Sequence, residues 1–252
     1  MSAIFCQLGT PSPGGIVAVC DHASNRVPSW IGLDIAPELL AEHIAWDIGT
    51  AGVCERLADD HAIPAHLACV SRLVIDLHRE EDSPGLIPEI SDGYPIPGNV
   101  GADREARLIA FHRPYHDGLA HWLDAANPAL ILAVHSFTPA LQSRSEERPW
   151  HVGLLYNRDG SAARHAIRLF EQHGLTVGDN QPYSGRQLNA TMNRHAEAHG
   201  RPYCAIEIRQ DLIADAEGQA HWAALVAEVA NGVALALREG QDTARSFRES
   251  RP

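Results

Sequence analysis

Short apolar runs alternate along the chain with longer segments in which apolar residues recur every three to four positions. The short runs predict buried strands at 14–20, 128–137, 151–157 and 202–212, with one or two more within 65–77. The longer segments predict amphipathic helices at 36–57, 105–126, 161–174, 191–199 and 221–239, the last ended by Gly240. Because strands and helices alternate, we expect an α/β fold with a mixed, mainly parallel central sheet and helices on both faces.

Two segments rich in turn-forming residues interrupt this pattern. Segment 80–99 contains four prolines and three glycines, and segment 178–189 reads GDNQPYSGRQLN. Because proline fixes φ and has no backbone N–H, we expect both segments to be loops. A loop as long as 80–99 inside a compact domain is usually functional or mobile. The last dozen residues are polar, and we expect them to fray.

The composition is that of a globular protein, with 252 residues of which 45% are hydrophobic and 21% charged. We interpret residues 1–252 as one domain, since a chain of this length buries enough surface for a single large core. All 20 basic residues are arginine, and the absence of lysine excludes Schiff-base chemistry, a P-loop lysine and a catalytic Ser–Lys pair. The net charge is −12 and no basic run occurs, so no nucleic acid partner is expected.

Cysteine usage and the lengths of the apolar runs indicate a soluble, cytoplasmic protein. The five cysteines form no CxxC pair, and Cys20, Cys69 and Cys204 lie in apolar runs, where a free cysteine behaves as a small buried hydrophobe. The first residues lack the basic start and the apolar core of a signal peptide. No apolar run approaches the ~20 residues needed to cross a bilayer, so no membrane association is expected. The sequence leaves the oligomeric state open.

Polar clusters occur at the ends of four apolar runs. They lie at 21–25, 76–79, 135–136 and 207–209. In α/β sheets, ligands bind in the crevice beyond the carboxyl ends of the strands. We therefore expect these clusters to meet at one edge of the sheet and to form the functional site.

His22 and His135 are the candidate ligands for a divalent metal. Neutral imidazole is the commonest zinc ligand, and two separate strands can present one histidine each to a single point. The alternative is that either is a hydrogen-bonded core histidine. The third ligand is open between Asn25, three residues after His22, and Asp47 in the WDIG segment.

Glu207 lies in the apolar run CAIEI, where an unpaired carboxylate is costly to bury. It is therefore a candidate general base that activates water beside a metal, with an ion pair to Arg209 or Arg72 as the alternative. Arg79 suits the fork-like recognition of a substrate carboxylate. A surface salt bridge to a neighbouring glutamate is its alternative.

The remaining motifs favour no other reaction. His195 and His199 belong to an HxExH segment, which differs from the HExxH of zinc proteases and is compatible with two histidines lining a helix face. His116 is a further candidate for the pocket. The chain contains no GxGxxG, GxxxxGKS/T or GxSxG motif, so neither nucleotide binding nor a serine hydrolase has support.

Six motifs resemble the N-formylglutamate amidohydrolase family, in the order VCDHASNRVP, HIAWDIG, SRLVIDLHR, AVHSF, DNQPYSG and AIEIRQDL. The resemblance extends over residues 16–212. That family is in turn similar to the zinc carboxypeptidases and aspartoacylases, which carry HxxE, DxNR, His-Ser and Glu-x-Arg motifs. In this chain HxxE becomes HASN, without the acid, and DxNR becomes DLHR, whereas the last two motifs are retained.

The resemblance implies a single α/β domain of the phosphorylase/hydrolase type, similar to the zinc carboxypeptidases. It implies one catalytic zinc, or another divalent metal, and the hydrolysis of N-formyl-L-glutamate, a small anionic N-acyl amino acid, to formate and glutamate. The alternatives are a hydrolase of another N-acyl amino acid or short peptide, and a catalytically silent member that binds a small ligand.

The candidate residues fall into three roles. We assign catalysis to Glu207 as the base, with Arg209 or Arg72 stabilising the oxyanion. The metal ligands are sought among His22, Asn25, Asp47 and His135. The candidate substrate-binding residues are Arg72, Asp76, His78, Arg79, His116, Ser136 and His195.

Overall fold

The computed structural model describes the backbone of residues 3–249 and the side chains of residues 3–240. The strands in this range are β1 Phe5–Leu8, β2 Ile16–Cys20, β3 Ala65–Ala68, β4 Ile90–Ser91, β5 Tyr94–Pro95, β6 Leu130–Phe137, β7 Val152–Leu155, β8 Val177–Asp179 and β9 Tyr203–Arg209. The α-helices are α1 Thr50–His61, α2 Arg104–Arg107, α3 Arg113–Ala126, α4 Ser161–Gln172, α5 Ala190–His195 and α6 Ala216–Glu249. A π-helical turn, Leu108–His112, joins α2 to α3.

Seven strands form one sheet in the order β1-β3-β2-β6-β9-β7-β8, and β4 and β5 form a separate hairpin. Four of the six neighbouring pairs in the large sheet are parallel, whereas β1–β3 and β7–β9 are antiparallel. All eight residues of β6 are buried, as expected for a central strand covered on both faces. The predicted mixed, mainly parallel sheet is confirmed.

Helices cover both faces of this sheet. Helices α1, α4 and α6 pack on one face through Leu57, Phe170 and Trp222. Helices α3 and α5 pack on the other face through Leu119 and Met192. The sheet thus carries an apolar core on each side, and the whole forms a single α/β domain, as predicted.

Segment 36–57 differs from its prediction, and the difference positions part of the site. Its only α-helical residues belong to α1, and a 3-10 helix, Pro37–Ala41, and several turns precede them. Gly49 has a φ of +84°, a left-handed conformation that favours glycine, and a Cβ there would overlap a backbone carbonyl oxygen. The helix therefore begins only after Gly49, and Asp47 lies in the loop before it.

Several short elements have no counterpart in the sequence prediction. Strands β1 and β8 exist by pairing with β3 and β7, and β8 overlaps the start of the predicted loop 178–189. The β4–β5 hairpin interrupts the predicted loop 80–99. The helix predicted at 191–199 ends as α5 at His195, and a 3-10 helix follows. Such elements depend on tertiary pairing rather than on local periodicity.

Helix α6 is longer than predicted at both ends. It continues through Gly240 to Glu249, since one glycine costs a helix only about 1 kcal/mol. The expectation of frayed final residues is therefore wrong up to Glu249, and residues 250–252 lie outside the described range.

Among the described residues, α6 is the one helix long and apolar enough, over Ala216–Gly240, to cross a membrane. The sequence analysis did not identify this helix as long and apolar enough, because it considered only uninterrupted apolar runs. Half of its apolar window is buried inside the protein, where it packs against α1 and α4. It is therefore a helix of the apolar core.

Candidate active site

A cavity of about 660 Å³ lies at the carboxyl-end side of β2, β6 and β9. Each of the four polar clusters noted in the sequence contributes to its lining, with His22, His78, His135 and Glu207. His135 and Glu207 differ from expectation in one respect, because they lie within β6 and β9 as directly paired neighbours rather than beyond the strand ends. The polar clusters meet at one edge of the sheet, as predicted.

His22, Asp47 and His135 form a buried cluster in this cavity. The Nδ1 atoms of His22 and His135 lie 3.3 Å and 2.9 Å from Asp47 Oδ2, and the three ligand atoms lie within 4.8 Å of one another. The backbone N–H of Asp47 donates to the His22 carbonyl at 3.0 Å, which holds the loop before α1 against the end of β2. Two imidazole nitrogens and one carboxylate oxygen are a donor set that zinc and other divalent metals accept.

Asp76 supports His22 from the side away from this cluster. Its Oδ1 accepts a hydrogen bond from His22 Nε2 at 2.7 Å, which leaves Nδ1 of His22 for the cluster. Metal-binding histidines usually donate their second ring N–H to a carboxylate in this way. The residues present therefore fit a divalent metal in both their donor atoms and their supporting hydrogen bond.

Arg72 links the two carboxylates of this network. Its guanidinium donates to Asp47 Oδ1 at 3.2 Å and to Asp76 Oδ2 at 2.8 Å. Burial alone would raise the pKa of both carboxyl groups, but the charges of His22 and Arg72 outweigh it and hold both pKa values well below their usual range. Burial and Arg72 lower the pKa of His22, but the two carboxylates outweigh them and raise it to about 9. A metal that binds His22 must therefore displace a proton.

Glu207 is a buried carboxyl group without a counter-ion among the described residues. It is 8% exposed, and its Oε2 has no hydrogen-bond partner. Burial and the charge of Asp47 raise its pKa to about 8, against the opposing effects of Arg72, His22 and Arg148. The alternative of an ion pair with Arg209 or Arg72 is not observed. An unpaired carboxyl group with a raised pKa beside a candidate metal cluster has the properties of a general base.

Two of the predicted site residues lie elsewhere. The side-chain amide of Asn25 donates to the Leu40 carbonyl at 2.8 Å, and Asn25 does not line the cavity. Arg209 does not line the cavity either and pairs with Asp211, with 2.7 Å between Nε and Oδ1. The structure therefore groups Asp47, and not Asn25, with the two histidines, and it pairs Arg209 with Asp211 rather than with Glu207.

His116 and His195 also lie outside the cavity lining. His116 Nδ1 is 2.9 Å from His195 Nε2, and His116 Nε2 donates to the Leu77 carbonyl at 3.0 Å. Both side chains are almost fully buried, and burial lowers the pKa of each imidazole, that of His195 to about 4. They form a buried pair outside the cavity lining, so the prediction that they bind substrate is not supported by their positions.

The other predicted residues line or support the cavity. The Ser136 hydroxyl donates to the Ile48 carbonyl at 2.9 Å, and His78 Nδ1 lies 3.0 Å from Asp21 Oδ2. Arg79 is partly exposed, and its Nε lies 3.5 Å from Asp76 Oδ2. Arg79 therefore lies beside Asp76, three residues earlier in the chain, and not beside a neighbouring glutamate, the alternative considered from the sequence.

Three residues of the site were not selected from the sequence. Asp21 is fully buried, accepts a hydrogen bond from Tyr115 at 2.6 Å and lies 3.7 Å from His135 Nε2, which has no hydrogen-bond partner. Arg148 and Tyr183 line the cavity from two different loops. The sequence contains a signal for Asp21, because it adjoins His22 at a strand end. It contains no such signal for the loop residues Arg148 and Tyr183.

The fold and this cluster together define an α/β enzyme domain with a pocket of histidines, carboxylates and arginines at the strand ends. Residues 14–214 match the family model of the N-formylglutamate amidohydrolases. The chain belongs to that family, as its motifs indicated.

Two solved structures share the fold of this chain. A gene product of Agrobacterium tumefaciens is 31% identical, with a TM-score of 0.88 over 94% of this chain and 97% of that chain. An N-formylglutamate amidohydrolase of Ralstonia eutropha is 21% identical, with a TM-score of 0.74 over 95% of this chain and 100% of that chain, and shares the fold. No curated protein matches the chain.

Proposed function

We propose that the chain is a metal-dependent hydrolase that cleaves the amide of a small N-acyl amino acid, with N-formyl-L-glutamate as the favoured substrate. The products are formate and glutamate. One observation carries the proposal: in a member of this family, the His22–Asp47–His135 cluster lies in the same pocket as a buried carboxyl group, Glu207, that has no counter-ion among the described residues.

His22, Asp47 and His135 would hold one divalent metal per chain, for which zinc is the favoured ion. When bound, such an ion supplies a Lewis acid that polarises a carbonyl group and makes a neighbouring water more acidic. Asp76 fixes the ring orientation of His22 through their 2.7 Å hydrogen bond. The chain itself thus supplies the ligands and holds them in place before substrate arrives.

Glu207 takes a proton from the attacking water and passes it to the leaving nitrogen. The water oxygen bonds to the formyl carbon and the C–N bond breaks, so formate and the free amine are released. A pKa near 8 gives this carboxylate the basicity that proton transfer near neutral pH requires.

Arginines would bind the charges of the substrate. Arg72 lines the pocket and is held by two carboxylates, which supports Arg72, rather than Arg209, as the arginine that stabilises the developing oxyanion. Arg79 is proposed to hold a substrate carboxylate. In a chain with net charge −12, an anionic substrate needs such a locally positive pocket.

A hydrolase of a larger N-acyl amino acid or a short peptide is the second candidate. The cavity of about 660 Å³ lies in the range of pockets that accept drug-sized ligands, and so leaves room for a longer acyl group.

All five cysteines are free, which supports the cytoplasm as the proposed location.

A panel of N-acyl amino acids, assayed after reconstitution with zinc and other divalent metals, tests the proposal. We expect N-formylglutamate to have the highest kcat/KM, and His22→Ala and His135→Ala to lose both metal and turnover. Efficient hydrolysis of longer acyl groups alone would favour the second candidate. A protein that binds metal and turns over none of the panel would refute both and leave a ligand-binding member of the family.

A further inference from the structure

Arg148 is a buried cation that lines the pocket, and the nearby carboxyl group of Glu207 feels its charge without forming an ion pair with it. Arg148 lies in the loop between β6 and β7 and is 6% exposed. Its Nη1 donates to the Thr138 carbonyl at 3.2 Å and to the Tyr183 hydroxyl at 3.1 Å. Its Nε is buried and has no hydrogen-bond partner. Among the described residues, no carboxylate forms an ion pair with this guanidinium.

This environment differs from that of the other two arginines near the metal cluster. Arg72 forms ion pairs with Asp47 and Asp76, and Arg79 lies beside Asp76. A buried guanidinium whose hydrogen bonds go only to neutral groups is costly unless an anion completes its contacts. The Nε and Nη2 atoms of Arg148 make no hydrogen bond to the described residues, and this edge of a guanidinium matches a carboxylate with two parallel N–H···O bonds.

Arg79 and Arg148 reach the pocket from loops attached to opposite parts of the sheet. Arg79 follows β3, and the Tyr183 that holds Arg148 follows β8, at the other end of the sheet. The strands that carry His135 and Glu207 lie between β3 and β8. An acyl amino acid with two carboxylates could therefore place its amide at the reacting groups and one carboxylate at each arginine.

We propose that Arg148, held by Thr138 and Tyr183, is an anion subsite that binds one carboxylate of the substrate's amino-acid part and makes the enzyme specific for N-acyl derivatives of dicarboxylic amino acids. This inference rests on the proposed function and extends it. Arg148 is a specificity-determining residue, and Tyr183 and Thr138 position its guanidinium.

The test compares kcat/KM for N-formylglutamate with that for its two monoamides, one lacking the α-carboxylate and the other lacking the side-chain carboxylate. The proteins are metal-loaded wild type, Arg148→Met and Arg168→Met. Arg168 is exposed on α4, so its variant controls for the loss of one positive charge. We expect Arg148→Met to lower kcat/KM for the diacid by about 10- to 100-fold and to leave one monoamide unaffected. An equal loss on all three substrates, or no loss beyond that of Arg168→Met, would overturn the proposal.

A second variant covers the case in which Arg148→Met does not fold. Arg148→Lys keeps a cation but lacks the planar fork. We expect it to lose activity on the diacid while the same monoamide is unaffected. Equal losses on all three substrates would again overturn the assignment.

Binding of glutarate, a dicarboxylate without an amide, separates this inference from the proposed function. Calorimetry on the metal-loaded proteins should show glutarate binding about tenfold more weakly to Arg148→Met than to wild type. If wild type hydrolyses no N-acyl amino acid, the proposed function fails, yet this difference in affinity still supports the anion subsite. Equal glutarate affinities in the two proteins would overturn the subsite.

Discussion

Replacing the buried His66 by phenylalanine should make the stability of this protein less dependent on pH. His66 lies on β3 and is fully buried. Its ring stacks on Phe5, with 4.5 Å between ring centroids, and packs against Tyr115 and Trp122. Its Nε2 has no hydrogen-bond partner. Burial in this aromatic surrounding lowers the pKa of His66 to about 4, against about 6.5 in an unfolded chain.

The sign and size of the effect follow from this difference in pKa. As pH falls below about 6.5, the unfolded chain binds a proton at His66 while the folded protein does not, so stability is complete above pH 6.5 and is lost towards pH 4. The slope is about 1.4 kcal/mol per pH unit between the two pKa values. Between pH 7.5 and pH 5.0, His66 should therefore remove about 2 kcal/mol from the free energy of unfolding.

Urea unfolding at pH 7.5 and pH 5.0, with a chelator present, measures this quantity. The chelator removes the pH dependence of metal binding, and the titration of all other groups cancels between wild type and variant. We expect the stability of His66→Phe to change by about 2 kcal/mol less than that of wild type over this interval. His121→Phe is the matched control, since His121 is exposed on α3. The reasoning would be refuted if both variants kept the full pH dependence of wild type.

Four further outcomes are expected. Asp47→Ala should weaken metal binding strongly and Asn25→Ala only slightly, as measured by elemental analysis after dialysis; the reverse order would exclude Asp47 as the third ligand. Glu207→Gln should retain the metal and lose kcat by roughly 10²- to 10⁴-fold, and near-normal turnover would leave Glu207 a structural residue. Arg79→Met should lower kcat/KM for N-formylglutamate by about one to two decades, and an unchanged preference over its amide-capped analogue would remove Arg79 from the carboxylate site. Gly49→Ala should destabilise the fold by at least about 1 kcal/mol, because it combines a positive φ with overlap on a backbone carbonyl; unchanged unfolding in urea would contradict this.

The central sheet and two of the three cluster residues could be predicted because they depend on local sequence. Strands β2, β6 and β9 are built mainly from apolar residues, and a polar residue inside or directly after such a run is conspicuous. For this reason the sequence alone identifies His22, His135 and Glu207 as candidate site residues. Their direct pairing inside the sheet, rather than beyond it, depends on register, which the apolar pattern does not specify.

The choice between Asn25 and Asp47 could not be made from the sequence. It depends first on Gly49, whose left-handed conformation ends the loop and keeps Asp47 out of a helix. It depends also on Asn25, whose side-chain amide donates a hydrogen bond to the Leu40 carbonyl. Arg148 was missed for a similar reason. It lies in a charged loop segment, RSEERPW, that resembles a solvated surface, and only the tertiary fold buries it. Loop conformation and the burial of single polar groups are properties of the whole chain.

The division of the pocket between strands and loops has a consequence for how this protein can diversify. His135 and Glu207 are fixed by paired central strands, whereas Arg148 and Tyr183 belong to loops that contribute no strand to that pairing. Loops tolerate insertion and substitution far better than buried strands do. New acyl or amino-acid preferences can therefore arise by remodelling segments 138–150 and 180–188 while the hydrolytic groups stay in register. The same separation makes these two segments the natural targets for directed evolution of the enzyme towards other amides.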